Sequence, residues 1–353
     1  MPEPTLLLVH EREQDCRARL VAAGMAGPRA AEVASYLAQS TDMEPELAPL
    51  EQACAAHGIG FAAQTLDEFA RGWDRLPAKD TLVWPLTDGI AYFSGSLVPA
   101  LARLGGLRCV GAESSLFALC QDKFRSGAVL EALGLRLPAT ALARDGAFLS
   151  PSRALAGAES FFVKPNRLGA KIGIYAESHG RSLDAALALS RRIFADYGDD
   201  AVVQAYVPGV NLRVSWLDVD GQGDLARLGI WRVAAEDDYQ SMADSLALYG
   251  ATGAQARQEG RYREPELVDL RLENPAAAAA IVAIARTLMQ GLGLAGPFSL
   301  DLRLGADGTA TLLEFEVCPG LPCFDFRAYL RAAWGMSLAE AMAATAACRL
   351  AKR

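Results

Sequence analysis

Three acids with the spacing of a cation site stand near the end of the chain: Asp301, Glu314 and Glu316, within residues 296–320, GPFSLDLRLGADGTATLLEFEVCPG. Asp301 lies in an alternating run in which Phe298, Leu300 and Leu302 are apolar and Ser299, Asp301 and Arg303 are polar. Ala306-Asp307-Gly308 reads as a turn, and residues 311–317 as a returning strand that carries both glutamates. Side chains two apart on a strand share a face, so Glu314 and Glu316 point the same way. Asp301 joins them if it pairs opposite. Carboxylates that close repel unless cations lie between them, and hard oxygen ligands of this kind suit Mg²⁺ shared with nucleotide phosphates. The solvated face of an ordinary Asp-Gly hairpin has the same pattern, so spacing alone leaves both readings open.

A second group is cationic. Residues 160–165 and 172–175 read as two short strands, and the linker between them, residues 166–171, carries Gly169, Arg167 and Lys171, with Gly173 just beyond. Glycine lets backbone amides come close to phosphate, and Lys164 and Lys171 supply charge to its oxygens. Lys123 follows Asp122 inside a helical stretch. Taken singly, these features also describe a surface turn and solvated lysines. His10, His57 and His179 form no cluster, and this chemistry needs none.

These residues need a scaffold. Over roughly the first 110 residues, strand-like runs (5–9, 59–61, 81–84 and 108–110) alternate with helical stretches (29–38, 49–57 and 97–104), which predicts an open α/β unit. A single helix from Ser114-Ser115 through Leu133 follows, and Ser182 opens a helix over 183–194. Residues 201–207 read as a strand stopped by Pro208-Gly209. Strands are predicted over 211–218 and 225–233, around an Asp220-Gly221 turn. Residues 234–265 are polar and aperiodic, the composition of a lid or a disordered segment. Helices over 275–291 and 337–351 flank the acidic hairpin.

Composition narrows the function classes. The chain has 353 residues, 52% hydrophobic and 22% charged, which suits a globular protein of two or three domains. Net charge is 34 − 42 = −8 with no basic run, so nucleic acid is not the expected partner. The seven cysteines form no CxxC pair or zinc pattern and read as cytoplasmic thiols. No signal peptide is read in the acidic N-terminus. The apolar run 276–294 contains Arg286 and Gln290 and reads as a buried helix, so no membrane partner is expected.

Order adds what single motifs lack. An Asp122-Lys123 helix (118–125), Val163-Lys164-Pro165, a glycine loop (169–173), a strand before Pro-Gly, and residues 313–320 with their Glu-x-Glu follow one another. This series resembles the ATP-grasp superfamily, and within it the D-alanine–D-alanine ligase branch, over about residues 111–342. The resemblance implies an α/β protein with α+β subdomains: an ATP-grasp fold behind an N-terminal open α/β domain. Its divisions fall at 1–112, 113–208 and 209–353. It implies ATP, with two Mg²⁺ (Mn²⁺ as substitute) on Asp301, Glu314 and Glu316. Lys123, Lys164, Gly169 and Lys171 would contact phosphates. Gln204, Ala205, Val207 and Leu313 would line the adenine pocket, and Asn211 would reach the ribose. The implied reaction is ADP-forming ligation: a carboxylate takes the γ-phosphoryl group, and an amine displaces phosphate to give an amide. The implied enzyme is cytoplasmic and homodimeric.

The chain also departs from that branch. Glu316 stands for the usual Asn, Gln204 and Asn211 for two glutamates, and Ala170-Lys171 for Ser-Ser. Ser299 stands for the arginine that steadies the reacting carbonyl. Strand alternation offers Arg303 as its substitute, so Arg303 and Lys171 are the expected catalytic cations. After Gly320 the sequence Leu321-Pro322-Cys323-Phe324-Asp325-Phe326-Arg327 is larger and more charged than the branch pattern. An amino acid or peptide other than D-alanine is therefore the expected substrate, with Glu11 or Asp325 for an amino group and Arg213 or Arg327 for a carboxylate. A nucleotide-binding protein without catalysis, or a kinase, is the alternative.

Overall fold

The computed structural model describes residues 3–87, 94–169, 171–234 and 266–352. Four apolar residues in a row, 6–9, leave no polar face for water, which suits a parallel strand covered on both sides. β1 (Thr5–His10) is that strand. It pairs in parallel with β2 (Gly60–Thr65) and β3 (Thr81–Leu86), and β3 pairs with β4 (Arg108–Cys109), in the order β2-β1-β3-β4. The connections run through α1 (Glu13–Ala22), α2 (Gly27–Thr41), α3 (Leu47–Ala56), α4 (Leu66–Gly72) and α5 (Leu97–Leu104). The expected open α/β unit is present. α1 was not expected: it buries only Cys16 and Leu20, too few positions to show a helical period.

The single helix predicted from 114 to 133 is two helices, α6 (Ser114–Cys120) and α7 (Lys123–Ala132). Asp122 adopts an extended conformation, and its Oδ1 accepts the Arg125 N–H, so it caps α7 and leaves Lys123 as that helix's first residue. Next comes a five-stranded antiparallel sheet in the order β6-β5-β9-β7-β8. It comprises β5 (Thr140–Arg144), β6 (Ala147–Phe148), β7 (Phe161–Pro165), β8 (His179–Gly180) and β9 (Ala201–Ala205). α8 (Leu183–Tyr197) covers one face, closing on Ala141, Phe161, Val163 and Val203.

The strand expected over 172–175 does not form, and β7 pairs instead with His179–Gly180. The physical reason lies in where Ile172 goes. With Leu168 it is buried among Leu20 of α1 and Val33, Ala34 and Leu37 of α2. The apolar side chains of the glycine loop fasten it to the N-terminal helices rather than extending a sheet.

The last sheet is antiparallel, in the order β12-β11-β10-β13-β14. It is built from β10 (Val210–Trp216), β11 (Gly229–Ala234), β12 (Glu266–Asp269), β13 (Phe298–Leu304) and β14 (Ala310–Glu316). β11 begins at Gly229, later than expected, because residues 225–227 make a 3₁₀ turn capped by Asp224. α9 (Leu270–Glu273) leads into α10 (Pro275–Leu292), which Asn274 caps and Gly293 ends at φ +67°. α10 is long and apolar enough for a membrane span by composition. Its Ala277, Ile281, Ala285 and Leu288 are buried against Val214, Phe298 and Leu300 of the sheet. The polar stretch read as a lid falls, but for its first residue, on 235–265, outside the described residues.

α11 (Phe324–Trp334) and α12 (Leu338–Ala351) close the chain. Ser337 and Glu340 cap α12 reciprocally. Both helices share one core with Leu6, Leu8 and Trp84 of the N-terminal sheet.

Candidate functional site

Strand register builds the site. β10, β13 and β14 lie side by side, and residues directly opposite one another share a face. Three polar rows result: Asn211, Arg303 and Thr311; Arg213, Asp301 and Glu314; Ser215, Ser299 and Glu316. The other face carries Leu212, Val214, Phe298, Leu300, Leu312 and Phe315 into the core under α10. The register shifts between Asp301 and Leu302, which makes Leu313 the extra residue of a bulge and leaves Glu314 directly across from Asp301. Register thus sets Asp301, Glu314 and Glu316 on one face of the sheet, with Asp301 paired to Glu314.

Cations meet the acidic row from two sides. Arg213 Nη1 donates to Asp301 Oδ1 at 2.8 Å, and its Nε donates to Asp325 Oδ2, also at 2.8 Å. Lys164, on the central sheet, donates to Glu314 Oε2 at 3.0 Å. Lys123 Nζ lies 3.9 Å from the same oxygen and donates to Leu168 O at 2.6 Å. Burial pushes the Glu314 carboxyl up, but Lys164 and Lys123 outweigh it and hold it down at about 2. Asp301 is raised, by burial first and by Glu314 in the same sense, against Arg213. Glu316 is raised by burial and Glu314, although its Oε1 accepts the Cys318 N–H at 3.0 Å. Burial lowers both Lys123 and Lys171, against nearby carboxylates.

This donor set fits a hard divalent cation: three carboxylates on one face, two of them disfavoured as bare anions and two already drawing side-chain cations. Among the described residues no three His, Cys, Asp or Glu side chains close around one point. Asp301 is drawn to Arg213, Glu314 to Lys164 and Glu316 to a backbone amide, each away from the others.

The residues expected to face a nucleotide fall on and just after β9 and on β10. Gln204 donates from Nε2 to Thr140 Oγ1 at 3.0 Å, and Ala205 ends β9. Arg303, expected as a catalytic cation, is held by three hydrogen bonds. Its Nε donates to Val207 O at 3.0 Å, Nη1 to Asn211 Oδ1 at 2.8 Å and Nη2 to the Tyr206 hydroxyl at 2.9 Å. It braces the β9–β10 connection, and Arg213 takes the place opposite Asp301. Lys171 follows Gly169 in the glycine loop and holds φ +65°, the left-handed region. Asp301, Arg213, Cys323 and Asp325 all act on its ammonium.

The proposed substrate residues divide. Arg213 and Asp325 meet at the acidic row. Gly320 sits where a Cβ would come within 2.8 Å of Cys323 Sγ and 3.0 Å of Ser40 Oγ, so the Pro-Gly turn packs tightly on α2. Glu11 is buried and paired with Arg19, and Arg327 bonds Glu46 Oε1 and Pro322 O. Sequence reasoning passed over Asn166. Its carbonyl accepts the Lys123 N–H at 3.1 Å and its Oδ1 the Phe124 N–H at 2.9 Å, which pins the start of α7 to the glycine loop. Its place directly after Val163-Lys164-Pro165 was the available signal.

No family model matches the chain. Its relatives include a D-alanine–D-alanine ligase of Anaeromyxobacter, 28% identical over 250 residues, covering 69% of this chain and 71% of that protein. The vancomycin/teicoplanin A-type resistance protein VanA of Enterococcus faecium is 23% identical over 252 residues, covering 69% of this chain but 65% of its own length. Among solved structures, the D-alanine–D-alanine ligase of Bacillus anthracis complexed with ATP superposes with a TM-score of 0.63, at 13% identity, over 99% of this chain and 98% of that one. The chain has the ATP-grasp fold. That arrangement accounts for the two five-stranded sheets, and the Anaeromyxobacter and Bacillus anthracis proteins are named as D-alanine–D-alanine ligases.

Proposed function

We propose that the protein is an ATP-dependent carboxylate–amine ligase. The observation that carries this reading is the acidic row, Asp301 across from Glu314, met by Lys164 from the facing sheet and by Lys123 at the start of α7. A triphosphate needs fixed positive charge on one side and carboxylate-held cations on the other; Lys123 and Lys164 would supply the first and the acidic row the ligands for the second. Lys123, Lys164 and the loop of Gly169 and Lys171 would hold its phosphates. Gln204, Ala205, Val207 and Leu313 would border the base, and Asn211 the ribose. Asp301, Glu314 and Glu316 would hold Mg²⁺, which when bound neutralises the phosphates against the carboxylates.

The chemistry follows. A substrate carboxylate oxygen attacks the γ-phosphorus, the bond to the bridging oxygen breaks, and ADP leaves. The acylphosphate carbonyl then accepts the lone pair of an amine that has shed its proton. The bond from carbon to the phosphate oxygen breaks, so phosphate leaves and an amide remains. Carboxylates are poor electrophiles, and this exchange supplies the leaving group. We further propose an amino acid or short peptide other than D-alanine as substrate. Support comes from Ser299 in the carbonyl-steadying position and from Cys323, Phe324 and Asp325 at the start of α11. The same reading makes the enzyme cytoplasmic and a homodimer.

The test is phosphate release from ATP and Mg²⁺ across amino acids, singly and in pairs, D-alanine included, with product masses read in the same wells. Amine-dependent release with an amide product supports the ligase and names its substrates. Release that needs D-alanine alone removes the substrate proposal, and a phosphorylated product with no amine requirement makes the protein a kinase.

A further inference from the structure

Arg213 is the one base in the acidic row, and register sets it directly opposite Asp301. Its two ion pairs leave from different edges of the guanidinium: Nη1 to Asp301 Oδ1 and Nε to Asp325 Oδ2, both 2.8 Å. One can open without the other. The two carboxylates also differ in surroundings. The Asp301 side chain is 36% exposed and has Glu314 across from it, whereas that of Asp325 is 11% exposed, in the first turn of α11. Guanidinium stays charged at any working pH, so its own deprotonation does not release Asp301, whereas a cation competing for that carboxylate does.

We propose that Arg213 is a movable counter-ion: it closes Asp301 while nucleotide is absent, yields that carboxylate to a divalent cation arriving with ATP, and, still tethered by Asp325, turns its freed Nη1 toward the substrate group being phosphorylated. The last step rests on the ligase reading; the exchange at Asp301 requires only cation binding. The arrangement has a use, because a bare divalent cation must compete with a built-in one and binds weakly until ATP adds its own phosphate ligands. Asp325 sets the balance by pulling the guanidinium from the other side.

The experiment is a Mn²⁺ titration followed by electron paramagnetic resonance, with and without ATP, on the full chain and on Arg213→Ala, Arg213→Lys and Asp325→Asn. Without ATP, Arg213→Ala is expected to bind Mn²⁺ on the order of tenfold tighter, since the competitor is gone. Asp325→Asn is expected to bind it several-fold more weakly, since the guanidinium then rests wholly on Asp301. Arg213→Lys, whose point charge cannot fork between two carboxylates, should fall between wild type and Arg213→Ala, and it covers the case in which Arg213→Ala does not fold. Opposite signs for the Arg213 and Asp325 variants separate exchange from a structural role, which would weaken binding in both. Equal or weaker Mn²⁺ binding by natively folded Arg213 variants overturns the counter-ion with the ligase reading intact. A wild-type protein that binds neither Mn²⁺ nor ATP overturns both.

Discussion

The two five-stranded sheets that meet at the site present different faces to it. The central sheet, on the face away from α8, shows Thr140, Leu142, Phe162, Lys164, Val202 and Gln204, by the register of β5, β9 and β7. Half of these are apolar, and one carries charge. The last sheet shows nine polar residues in three rows, five of them charged. A half-apolar seat with a few polar handles suits a flat base and one phosphate contact. A dense charged face suits the phosphoryl group and its cations. Both sheets are antiparallel and similar in size, so the division comes from which face each turns inward, not from the backbone. In both, the face away from the site is apolar and packed under a helix, α8 or α10.

This division predicts unequal costs on the two sides. The largest effect belongs to Glu314→Gln, which removes the central charge of the acidic row; ATP-dependent phosphate release should fall by roughly a hundredfold or more. A loss no greater than that of a central-sheet substitution would end the comparison. Lys164→Ala removes the charge that the central face turns to Glu314, and the Michaelis constant for ATP should rise about tenfold. The same variant sharpens the picture through acid titration. Glu314 is held down at about 2, so its contribution to stability is complete above its ordinary value and is lost as pH falls toward 2. Without Lys164 that acid-side slope should flatten, read as unfolding midpoints between pH 5 and 2. Ile172→Ala unfastens the glycine loop from α1 and α2, with a packing cost of about 2–4 kcal/mol. ATP binding by calorimetry should weaken several-fold, and proteolytic nicking within 166–173 should rise. Gln204→Leu leaves Thr140 Oγ1 without its donor and should change ATP affinity only about two- to fivefold.

Much of the site was legible because strands report themselves by alternation. Ser299, Asp301 and Arg303 could be assigned to one face of their strand, and Glu314 and Glu316 to one face of theirs, before any pairing was known. The adjacency of β10 and β13 was not legible, because antiparallel neighbours are joined here through more than eighty residues of intervening chain. Without that register Arg303 looked like the cation nearest the reacting group, although Arg213 stands across from Asp301 and Arg303 braces Tyr206 and Asn211. The glycine loop misled in another way. Ile172, Ile174 and Tyr175 are strand-forming residue types, but Ile172 packs on helices far earlier in the sequence. Asp122 hid a helix break, since a good cap and a tolerated interior residue look alike in a sequence without its dihedrals. The open α/β character of the first part, by contrast, rests on short-range patterning and came through intact.

The joint packing of α12 with the first strands bears on how the protein is made. Met342, Ala343 and Ala346 complete the cover over Leu6, Leu8 and Trp84, and Arg108 Nη1 donates to the carbonyls of Arg349 and Lys352. During translation β1 and β3 leave the ribosome long before α12 does. The part of that face of the N-terminal sheet which Met43 and α3 (Leu50, Cys54) leave open must therefore wait, greasy, through the synthesis of most of the chain. That interval is when chaperone capture or clumping with a neighbouring nascent chain is most costly, and a stop codon placed just before α12 would make the interval permanent.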